Sequence, residues 1–445
     1  MKLLMTGSLI LAALIYLVPA EAELQGGVAR TDITPPIGGQ MAGYGARGTK
    51  VSTGVHDPLL AKALVLKDTD DAMALVTMDL AGFPAESVER VKQAIRDKTG
   101  INEIMLLVSH THSGPTGDTS FPSPEKPWIR DAEDKVINAV VEANGSLVPV
   151  KYGVGKGEAR EGHNRRKVNP DGTVTMFWRN AERVPTSPVD YMVGVIRFEK
   201  LDGIPLATIV NFTCHPVVLG PENVLISADY PGVMTKTVEG ELGGMCMFAQ
   251  GACGDINPFM DKTAPADGAY EEMEKMGKAV ASEVIRVSKL IEVHDTADVD
   301  LIPRTETMPI APRWDLNDPK VKETLETKYG KTIVGAYLKR FNLPMVGDLV
   351  TVTLGDDLAI VGVPGEFFVQ HGLDLKSRSL VPNTFLFGYC NTTYGYFPTI
   401  NAAVQGGYGA KEATVVKVGA GEKLMNRALV NLYYQTGRLK LVPEF

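Results

Sequence analysis

The sequence predicts an α/β fold with a mixed β-sheet core and flanking helices. Short, unbroken apolar runs, such as residues 104–108, are typical of strands that are buried on both faces. Residues 86–98 instead place apolar side chains at helical spacing, and they lie between two of these runs. A strand, a helix and a second strand in this order favour a parallel pair joined by a crossover helix. With a hydrophobic content of 44%, the chain can bury a sizeable core.

Strands and one unusual loop are predicted ahead of this helix. A strand beginning near residue 26 leads into a loop over residues 38–45 that is rich in glycine. Such a loop either flexes or lets its backbone approach another group closely. Two neighbouring strands follow at residues 61–66 and 72–78, separated by a polar turn.

The rest of the chain continues the alternation of helices and strands. An aspartate shortly before a proline, as at Asp229, is typical of a helix start. Helices are predicted at residues 128–143, from Asp229 onward, and at residues 270–293, 320–340 and 422–434. Strands are predicted at residues 193–198, 206–212, 245–249, 349–354 and 358–363. Because no repeat or low-complexity linker interrupts this pattern, we expect residues 23–445 to form one compact domain.

The first residues have the features of a targeting segment. Lys2 is followed by an apolar run over residues 9–18 and by Ala20-Glu21-Ala22, the small-x-small pattern of a cleavage site. The apolar run is too short to span a bilayer comfortably. We therefore interpret residues 1–22 as a signal peptide and expect the mature chain to be secreted, periplasmic or otherwise extracytoplasmic, without a transmembrane segment.

The charge of the chain argues against a nucleic-acid partner. Its 45 Lys and Arg residues are outnumbered by 53 Asp and Glu residues, for a net charge of −8, whereas phosphate binding needs clustered basic residues. Four cysteines are present, but none forms a Cys-x-x-Cys pair, so a thiolate zinc site is not expected. Four cysteines allow three disulfide pairings, and the sequence does not choose among them.

The most informative stretch is Ser-His-Thr-His-Ser-Gly-Pro-Thr-Gly at residues 109–117, directly after the predicted strand at residues 104–108. In an extended backbone alternate side chains face the same side, so His110 and His112 can enter one cleft. The Gly-Pro turn lets the chain leave without covering them. Ligands of α/β proteins tend to sit at the carboxyl ends of strands, so this stretch predicts a functional site.

His215 and Glu366 occupy comparable positions, each just past an apolar strand. If these strands share a sheet with the strand before His110, the three side chains converge at one end of it. Two neutral imidazoles and one carboxylate form a known catalytic zinc set with an open position for water. Zinc lowers the pKa of such a water to about 7 and polarises carbonyl groups. These three residues therefore favour a catalytic Zn²⁺ site that activates water.

Seven segments extend this pattern over nearly the whole mature chain. They are residues 27–36, 109–115, 164–165, 213–215, 254–258, 364–366 and 391–396. In this order they resemble the catalytic domain of the neutral/alkaline non-lysosomal ceramidase family. The resemblance implies the fold of that domain and hydrolysis of the amide bond of N-acylsphingosines with one zinc ion. Carried over by motif, the family's zinc ligands fall on His110, His215, Glu366 and Tyr396.

The resemblance also implies roles for three further residues. His112 resembles a residue that contacts the substrate or the transition state. Arg165 matches the arginine of the family's Asn-Arg loop, which orients the substrate or steadies an oxyanion. Tyr408, twelve positions after Tyr396, matches a second active-site tyrosine.

Two departures from the family pattern bear on function. The family motif Gly-Asp-Val-Ser-Pro places a catalytic serine where this chain has Asn257. An amide can orient a neighbour or donate a hydrogen bond to an oxyanion, but it cannot act as a hydroxyl nucleophile. The family's carboxy-terminal β-sandwich domain, which helps to shape the lipid-facing entrance, is also expected to be absent after the last predicted helix.

The leading hypothesis is a secreted zinc-dependent amidohydrolase that uses zinc-activated water to cleave the amide bond of a small N-acylated substrate, which is a ceramide-like lipid or another N-acyl compound. Because zinc polarises ester and amide carbonyls alike, an esterase or lactonase on the same site is an alternative. The asparagine at position 257 leaves a second alternative, a non-catalytic zinc-binding homologue.

Overall fold

The computed structural model describes residues 24–117, 127–294, 296, 299–315, 317–331, 334–335, 345–411 and 413–440. The predicted signal peptide at residues 1–22 lies outside these residues. Within them, none of the helices has the length and apolar character needed to cross a membrane.

Helices and strands are interspersed along the chain, with an uninterrupted series of strands between residues 148 and 226. The helices are α1 (Ala85–Thr99), α2 (Trp128–Gly145), α3 (Tyr230–Leu242), α4 (Ala269–Ser288), α5 (Pro319–Tyr329), α6 (Val369–Arg378), α7 (Ile400–Gln405) and α8 (Ala420–Gln435). The strands are β1 (Gln25–Asp32), β2 (Gly54–Val55), β3 (Leu60–Lys67), β4 (Ala72–Met78), β5 (Glu103–Val108), β6 (Val148–Glu158), β7 (Gly162–Asn164), β8 (Arg166–Val168), β9 (Val174–Met176), β10 (Met192–Lys200), β11 (Pro205–Phe212), β12 (Leu225–Ile226), β13 (Met245–Gln250), β14 (Ile256–Pro258), β15 (Leu301–Ile310), β16 (Met345–Leu354), β17 (Leu358–Gly362), β18 (Glu366–Phe367), β19 (Asn383–Phe387) and β20 (Tyr396–Phe397). The helix predicted at residues 270–293 ends five residues early, at Ser288.

The larger of the two main sheets has eight strands in the order β13-β11-β10-β6-β1-β3-β4-β5. Its pairs are antiparallel except for β4–β5 and β11–β13, which are parallel. Its two halves join where β1 meets β6, through the pairs Gln25–Pro149 and Gly26–Val148. The smaller sheet has the order β15-β16-β17-β19, with β17 and β19 parallel. The predicted α/β class with mixed sheets and flanking helices is confirmed.

Each of these three parallel pairs belongs to a β-α-β unit. The units are β4-α1-β5, β11-α3-β13 and β17-α6-β19. A parallel pair needs such a crossover because the chain has to return to the same end of the sheet. The first unit is the one that the sequence predicts, and α1 buries Val88, Val91 and Ile95, the face given by its helical spacing.

The central core lies between the two halves of the larger sheet and the smaller sheet. All three layers turn an apolar face toward it, with side chains that include Leu64, Leu75, Ile196, Ile209, Val352 and Phe385. Helices cover the outer faces: α1 and α2 cover the first half of the larger sheet, α3 and α4 the second half, and α8 the smaller sheet. Strands covered on both faces account for the unbroken apolar runs in the sequence.

This packing brings the carboxyl ends of strands from both sheets to one place. The strands before His110 and His215 are β5 and β11 of the larger sheet, but the strand before Glu366 is β17 of the smaller one. A single shared sheet, the condition for convergence that the sequence suggested, therefore does not hold for Glu366. The three side chains meet because the sheets share a core and because the larger sheet curls, so that β13 at one end contacts β4 and β5 at the other.

Asp229 starts α3, as the sequence predicts. Its Oδ1 accepts a hydrogen bond from the Tyr230 N–H at 2.7 Å, and its Oδ2 accepts one from the Leu219 N–H at 3.0 Å. The side chain is buried, and burial raises the pKa of this carboxyl to about 7 although both hydrogen bonds oppose the shift. The native state therefore holds a proton that an unfolded aspartate would release near pH 4.

Replacing Asp229 with asparagine is expected to change the pH dependence of stability. With a native pKa above the unfolded value, the carboxyl of the wild type contributes stability below about pH 4 that is lost as the pH rises toward 7. Asparagine caps helices, tolerates a positive φ and does not ionise. The free energy of unfolding of Asp229→Asn relative to wild type should therefore rise by up to about 1.4 kcal/mol per pH unit across this window. Urea unfolding at about pH 4.5, 6 and 8 measures it, and a difference that stays constant with pH contradicts the prediction.

Candidate active site

His110 stands after β5 in a strained backbone conformation. Its φ of 67° lies in the left-handed region, which is uncommon for residues other than glycine. Its backbone N–H donates to the Leu80 carbonyl at 2.9 Å, and its ring Nδ1–H donates to the Ala81 carbonyl at 2.7 Å. Since a carbonyl only accepts, Nδ1 carries the proton, and in the neutral ring Nε2 presents its lone pair.

His215 is fixed in the same way after β11. Its backbone N–H and its ring Nδ1–H both donate to the Ile256 carbonyl, each at 3.0 Å. The side chain is buried, and burial lowers the pKa of the imidazole to about 4, so the ring is neutral near pH 7. Its Nε2 therefore also presents a lone pair, and this atom lies 3.3 Å from Glu366 Oε2.

Glu366 reaches the same place from the smaller sheet. The parallel pairing of β18 with β20 sets it beside Tyr396. The loop after β13 packs closely against it because position 254 is glycine: a Cβ at Gly254 would lie 2.5 Å from the Glu366 carbonyl oxygen. In addition to its 3.3 Å contact with His215, the carboxylate Oε2 lies 3.7 Å from His110 Nε2.

These side chains form a concentrated set of electron-pair donors. Burial opposes the ionisation of Glu366, but attraction to His110 and His215 in their protonated form outweighs burial and lowers the pKa of this carboxyl to about 2. A carboxylate facing two imidazole lone pairs is repulsive unless a proton or a cation lies between them. His112 adds a nitrogen, and the three imidazoles offer ligand atoms within 4.8 Å of one another. Nitrogen and carboxylate donors at this spacing fit a divalent metal ion.

His112 is held differently from the other two histidines. Its Nε2 lies 3.1 Å from His110 Nε2, but its buried Nδ1 has no hydrogen-bond partner among the described residues. Burial lowers the pKa of this imidazole well below its ordinary value, and repulsion from His110 and His215 when these rings are protonated adds to the effect. The ring is therefore neutral near pH 7 and can accept a proton and return it.

Arg165 is a buried cation within the site. Its Nη1 donates to Asn257 Oδ1 at 3.0 Å, and its Nη2 donates to the Gly254 carbonyl at 2.7 Å. The guanidinium carbon lies 5.1–5.4 Å from the ring centroids of three aromatic side chains, Trp178, Tyr396 and Tyr408. Burial acts to lower the pKa of Arg165, but the ionisable groups around it, chiefly Tyr396, raise that pKa, so the residue stays charged.

Asn257 is bonded on both sides of its amide group. Its Oδ1 accepts from Arg165, and its Nδ2 donates to Asp261 Oδ2 at 2.9 Å. Asp261 also accepts from Lys262 Nζ at 2.6 Å, and this ammonium lies 4.2 Å from the Trp178 ring centroid. A cation on one side and an anion on the other therefore set the orientation of the amide.

The structure adds Asp261, Lys262 and Trp178 to the site, and the sequence analysis missed all three. Asp261 and Lys262 follow Asn257 by four and five positions, so a charged pair just after a recognised motif was the available signal. Trp178 lies in the loop after β9 and offers no comparable signal. Its contact with Arg165 depends on how separate loops meet.

All eight predicted site residues lie together in the structure. They are His110, His112, Arg165, His215, Asn257, Glu366, Tyr396 and Tyr408. Tyr396 is buried, whereas Tyr408 is 36% exposed at the rim, and the two ring centroids are 5.5 Å apart. Their proximity is a finding, and the role of each residue stays a prediction.

Comparisons with known proteins point to one family. Residues 25–284 match the family model described as neutral/alkaline non-lysosomal ceramidase, N-terminal. The chain is 25% identical over 312 residues to neutral ceramidase A of Dictyostelium discoideum and 25% identical over 292 residues to neutral ceramidase of Pseudomonas aeruginosa. These matches cover 61% and 58% of this chain and 42% of each relative, so the chain spans less than half the length of these curated relatives.

Solved structures show the same fold. The crystal structure of neutral ceramidase from Pseudomonas aeruginosa superposes with a TM-score of 0.73 at 18% identity, covering 95% of this chain and 76% of that one. A ceramidase complexed with C2 superposes with a TM-score of 0.72 at 18% identity, covering 95% and 77%. The architecture described above is therefore shared with these enzymes.

Converting Asn257 to aspartate is expected to make stability depend on pH. The new carboxylate would face Asp261 Oδ2 across the 2.9 Å that now holds a hydrogen bond, and two carboxylates this close do not both ionise readily. The pair should keep a proton in the native state, so the variant should lose stability relative to wild type as the pH rises from about 5 to about 8. Asn257→Ser adds no charge, so its stability relative to wild type should change less with pH than that of Asn257→Asp, although it also alters the hydrogen bond to Asp261. Urea unfolding across this range compares the two variants, and equal pH dependence contradicts the prediction.

Proposed function

The chain belongs to the neutral/alkaline non-lysosomal ceramidase family, and from this premise we propose that it is an extracytoplasmic, zinc-dependent hydrolase that cleaves the amide bond of an N-acylated, ceramide-like substrate. The convergence of His110 Nε2, His215 Nε2 and Glu366 Oε2 is the observation that supports this function most directly. Relatives that carry the name neutral ceramidase make a ceramide-like lipid the first substrate class to test.

We assign one zinc ion per chain to His110, His215, Glu366 and Tyr396. Metal-binding histidines almost always donate their other ring N–H to a carbonyl, a carboxylate or water, and His110 and His215 both donate to carbonyls. His112 lacks such a partner among the described residues, which favours a position on the substrate side. Tyr396 is paired with Glu366 where β18 meets β20, and this pairing places it beside the other proposed ligands.

Zinc held by these residues would polarise the substrate carbonyl and lower the pKa of a water molecule to about 7. Neutral His112 would take the proton that the attacking water releases and pass it to the amine nitrogen as the C–N bond breaks. Charged Arg165 would stabilise the negative charge that develops on the carbonyl oxygen. Asn257 would orient Arg165, since its oxygen accepts from that guanidinium. The products are a carboxylic acid and an amine.

Tyr408 and Trp178 would form the entrance for the substrate. Their ring centroids lie 5.3 Å apart, and both side chains are partly exposed beside Arg165. Aromatic faces next to a polar centre suit a substrate with an apolar acyl chain and a polar amide. An ester would meet the same groups, so an esterase or lactonase is the alternative on this site.

A non-catalytic zinc protein is the second candidate, and Asn257 is the observation that favours it. The chain has no hydroxyl at this position, so an attack by a side-chain oxygen from here is excluded. Against this candidate stands His112, which is neutral, partly exposed and not among the four proposed zinc ligands.

Hydrolysis of a fluorogenic N-acylsphingosine by the mature chain tests the proposed function. The protein is first made metal-free and then restored with Zn²⁺, and release of the fatty acid is expected only after restoration. Stoichiometric zinc with turnover of esters alone would support the esterase. Stoichiometric zinc with no turnover on a broad panel of amides and esters would support the non-catalytic protein.

Three histidine variants separate zinc binding from catalysis. His215→Ala should lose both zinc and activity, because it removes a proposed ligand. His112→Ala should keep one zinc per chain while kcat falls about 10²- to 10⁴-fold, the usual contribution of a general base. His56→Ala is the control, since His56 stacks on Tyr270 outside the site. Equilibrium dialysis with metal analysis and initial rates give both readouts, and loss of zinc from His112→Ala would make His112 a ligand instead.

A further inference from the structure

We propose that the glycine-rich loop, here taken as residues 38–48, is a positioning element that fixes the imidazole of His112, and that Gly43, Tyr44 and Arg47 do the positioning. The sequence left open whether this loop flexes or lets its backbone approach another group closely, and in the structure the backbone of Gly43 lies against His112. The inference rests on the proposed function, because a fixed ring matters only if His112 acts on a substrate.

His112 requires such a support because hydrogen bonds to the backbone do not orient its ring. His110 and His215 each donate from Nδ1 to a carbonyl, which fixes both the tautomer and the ring plane. The buried Nδ1 of His112 has no partner among the described residues. Apart from the 3.1 Å contact of its Nε2 with His110 Nε2, its ring orientation therefore depends on packing.

The backbone of Gly43 packs directly against the ring of His112. Its φ of 95° is left-handed, and a Cβ built there would lie 2.3 Å from His112 Cγ and 2.6 Å from His112 Nδ1. Heavy atoms do not approach this closely, so a side chain at position 43 requires the ring or the loop to move. The loop itself is anchored beside the histidine motif, since the Ala42 N–H donates to the Gly114 carbonyl at 2.9 Å.

Tyr44 supplies a second contact. Its ring meets the His112 ring edge-to-face, with centroids 4.8 Å apart and planes at 66°. Its hydroxyl donates to the Leu219 carbonyl at 2.9 Å, which fixes the far end of the tyrosine. The tyrosine is thus held at both ends while it packs on His112.

Arg47 ties the loop to the backbone of His112. The residue is buried, and its guanidinium donates to the carbonyls of His112 at 3.0 Å, Ala42 at 2.7 Å and Asn223 at 3.2 Å. It also lies 5.2 Å from the centroid of the Tyr44 ring. One cation therefore joins the loop, the histidine motif and the segment before β12, so that the backbone of Gly43 and the ring of His112 keep a fixed separation.

Gly43→Ala tests the inference against Gly45→Ala in the same loop, where an added Cβ meets nothing within 4 Å. Gly43→Ala should lower kcat about 100-fold, the loss expected when a reacting group is misplaced by about 1 Å. Zinc stoichiometry and KM should stay close to wild type, because the proposed ligands are not touched. Gly45→Ala should change none of these quantities.

A second readout does not require activity. With seven histidines in the chain, isotopically labelled histidine gives a small set of ring resonances in the metal-free protein, and His112→Ala identifies the one from His112. Gly43→Ala should shift this resonance and leave those of His56 and His371 in place. An unmoved His112 resonance overturns the inference, and so does a shift of all the resonances, which would mean general disruption. The spectrum decides the inference even if no substrate is found.

A double variant completes the test once turnover is available. Gly43→Ala combined with His112→Ala should be no slower than His112→Ala alone, because Gly43 acts through the ring. Losses that multiply overturn the inference. If Gly43→Ala does not fold, Tyr44→Phe removes one hydrogen bond and keeps the ring. It should shift the His112 resonance by a smaller amount, and an unchanged spectrum overturns the inference as well.

Discussion

The site depends on one packing constraint, the core that the two main sheets share. The halves of the larger sheet and the smaller sheet each turn an apolar face to this core, and helices close the outside. Non-directional apolar packing thereby places the ends of β5, β11 and β17 next to one another, although β17 belongs to a different sheet. The side chains that follow these strands are carried on rigid elements, which suits groups that have to be held within a fraction of an ångström.

Burial at this place demands partners for every charge. Arg165, Asp261 and the partly exposed Lys262 form a chain with neutral Asn257 between the arginine and the aspartate, so each ion faces a hydrogen bond or an opposite charge. Glu366 is different, because it faces imidazole lone pairs. The proposed zinc ion would balance the charge of Glu366, as Lys262 balances the charge of Asp261.

Glycine permits two close approaches that the site needs. Gly254 lets the loop after β13 lie against the backbone of Glu366, and Gly43 lets the glycine-rich loop lie against the ring of His112. Both contacts bring a loop onto a group at the end of a strand. Loops carry the variable chemistry of a fold, whereas strands and helices carry its stability. Here two glycines let loops pack closely against residues at the ends of strands.

Several features followed from the sequence because they depend on local pattern. The strand and helix periods predicted the β-α-β unit around α1, and the positions of His110, His215 and Glu366 just past apolar runs predicted a donor set. The family followed from motifs spread along the chain. Other features depend on which distant segments meet: that β17 lies in a second sheet, that Arg165 is buried between Asn257 and three aromatic rings, and that Gly43 covers His112. Residue type and spacing determine local conformation, whereas these contacts come from packing between segments separated by tens to hundreds of residues, which only the tertiary structure decides.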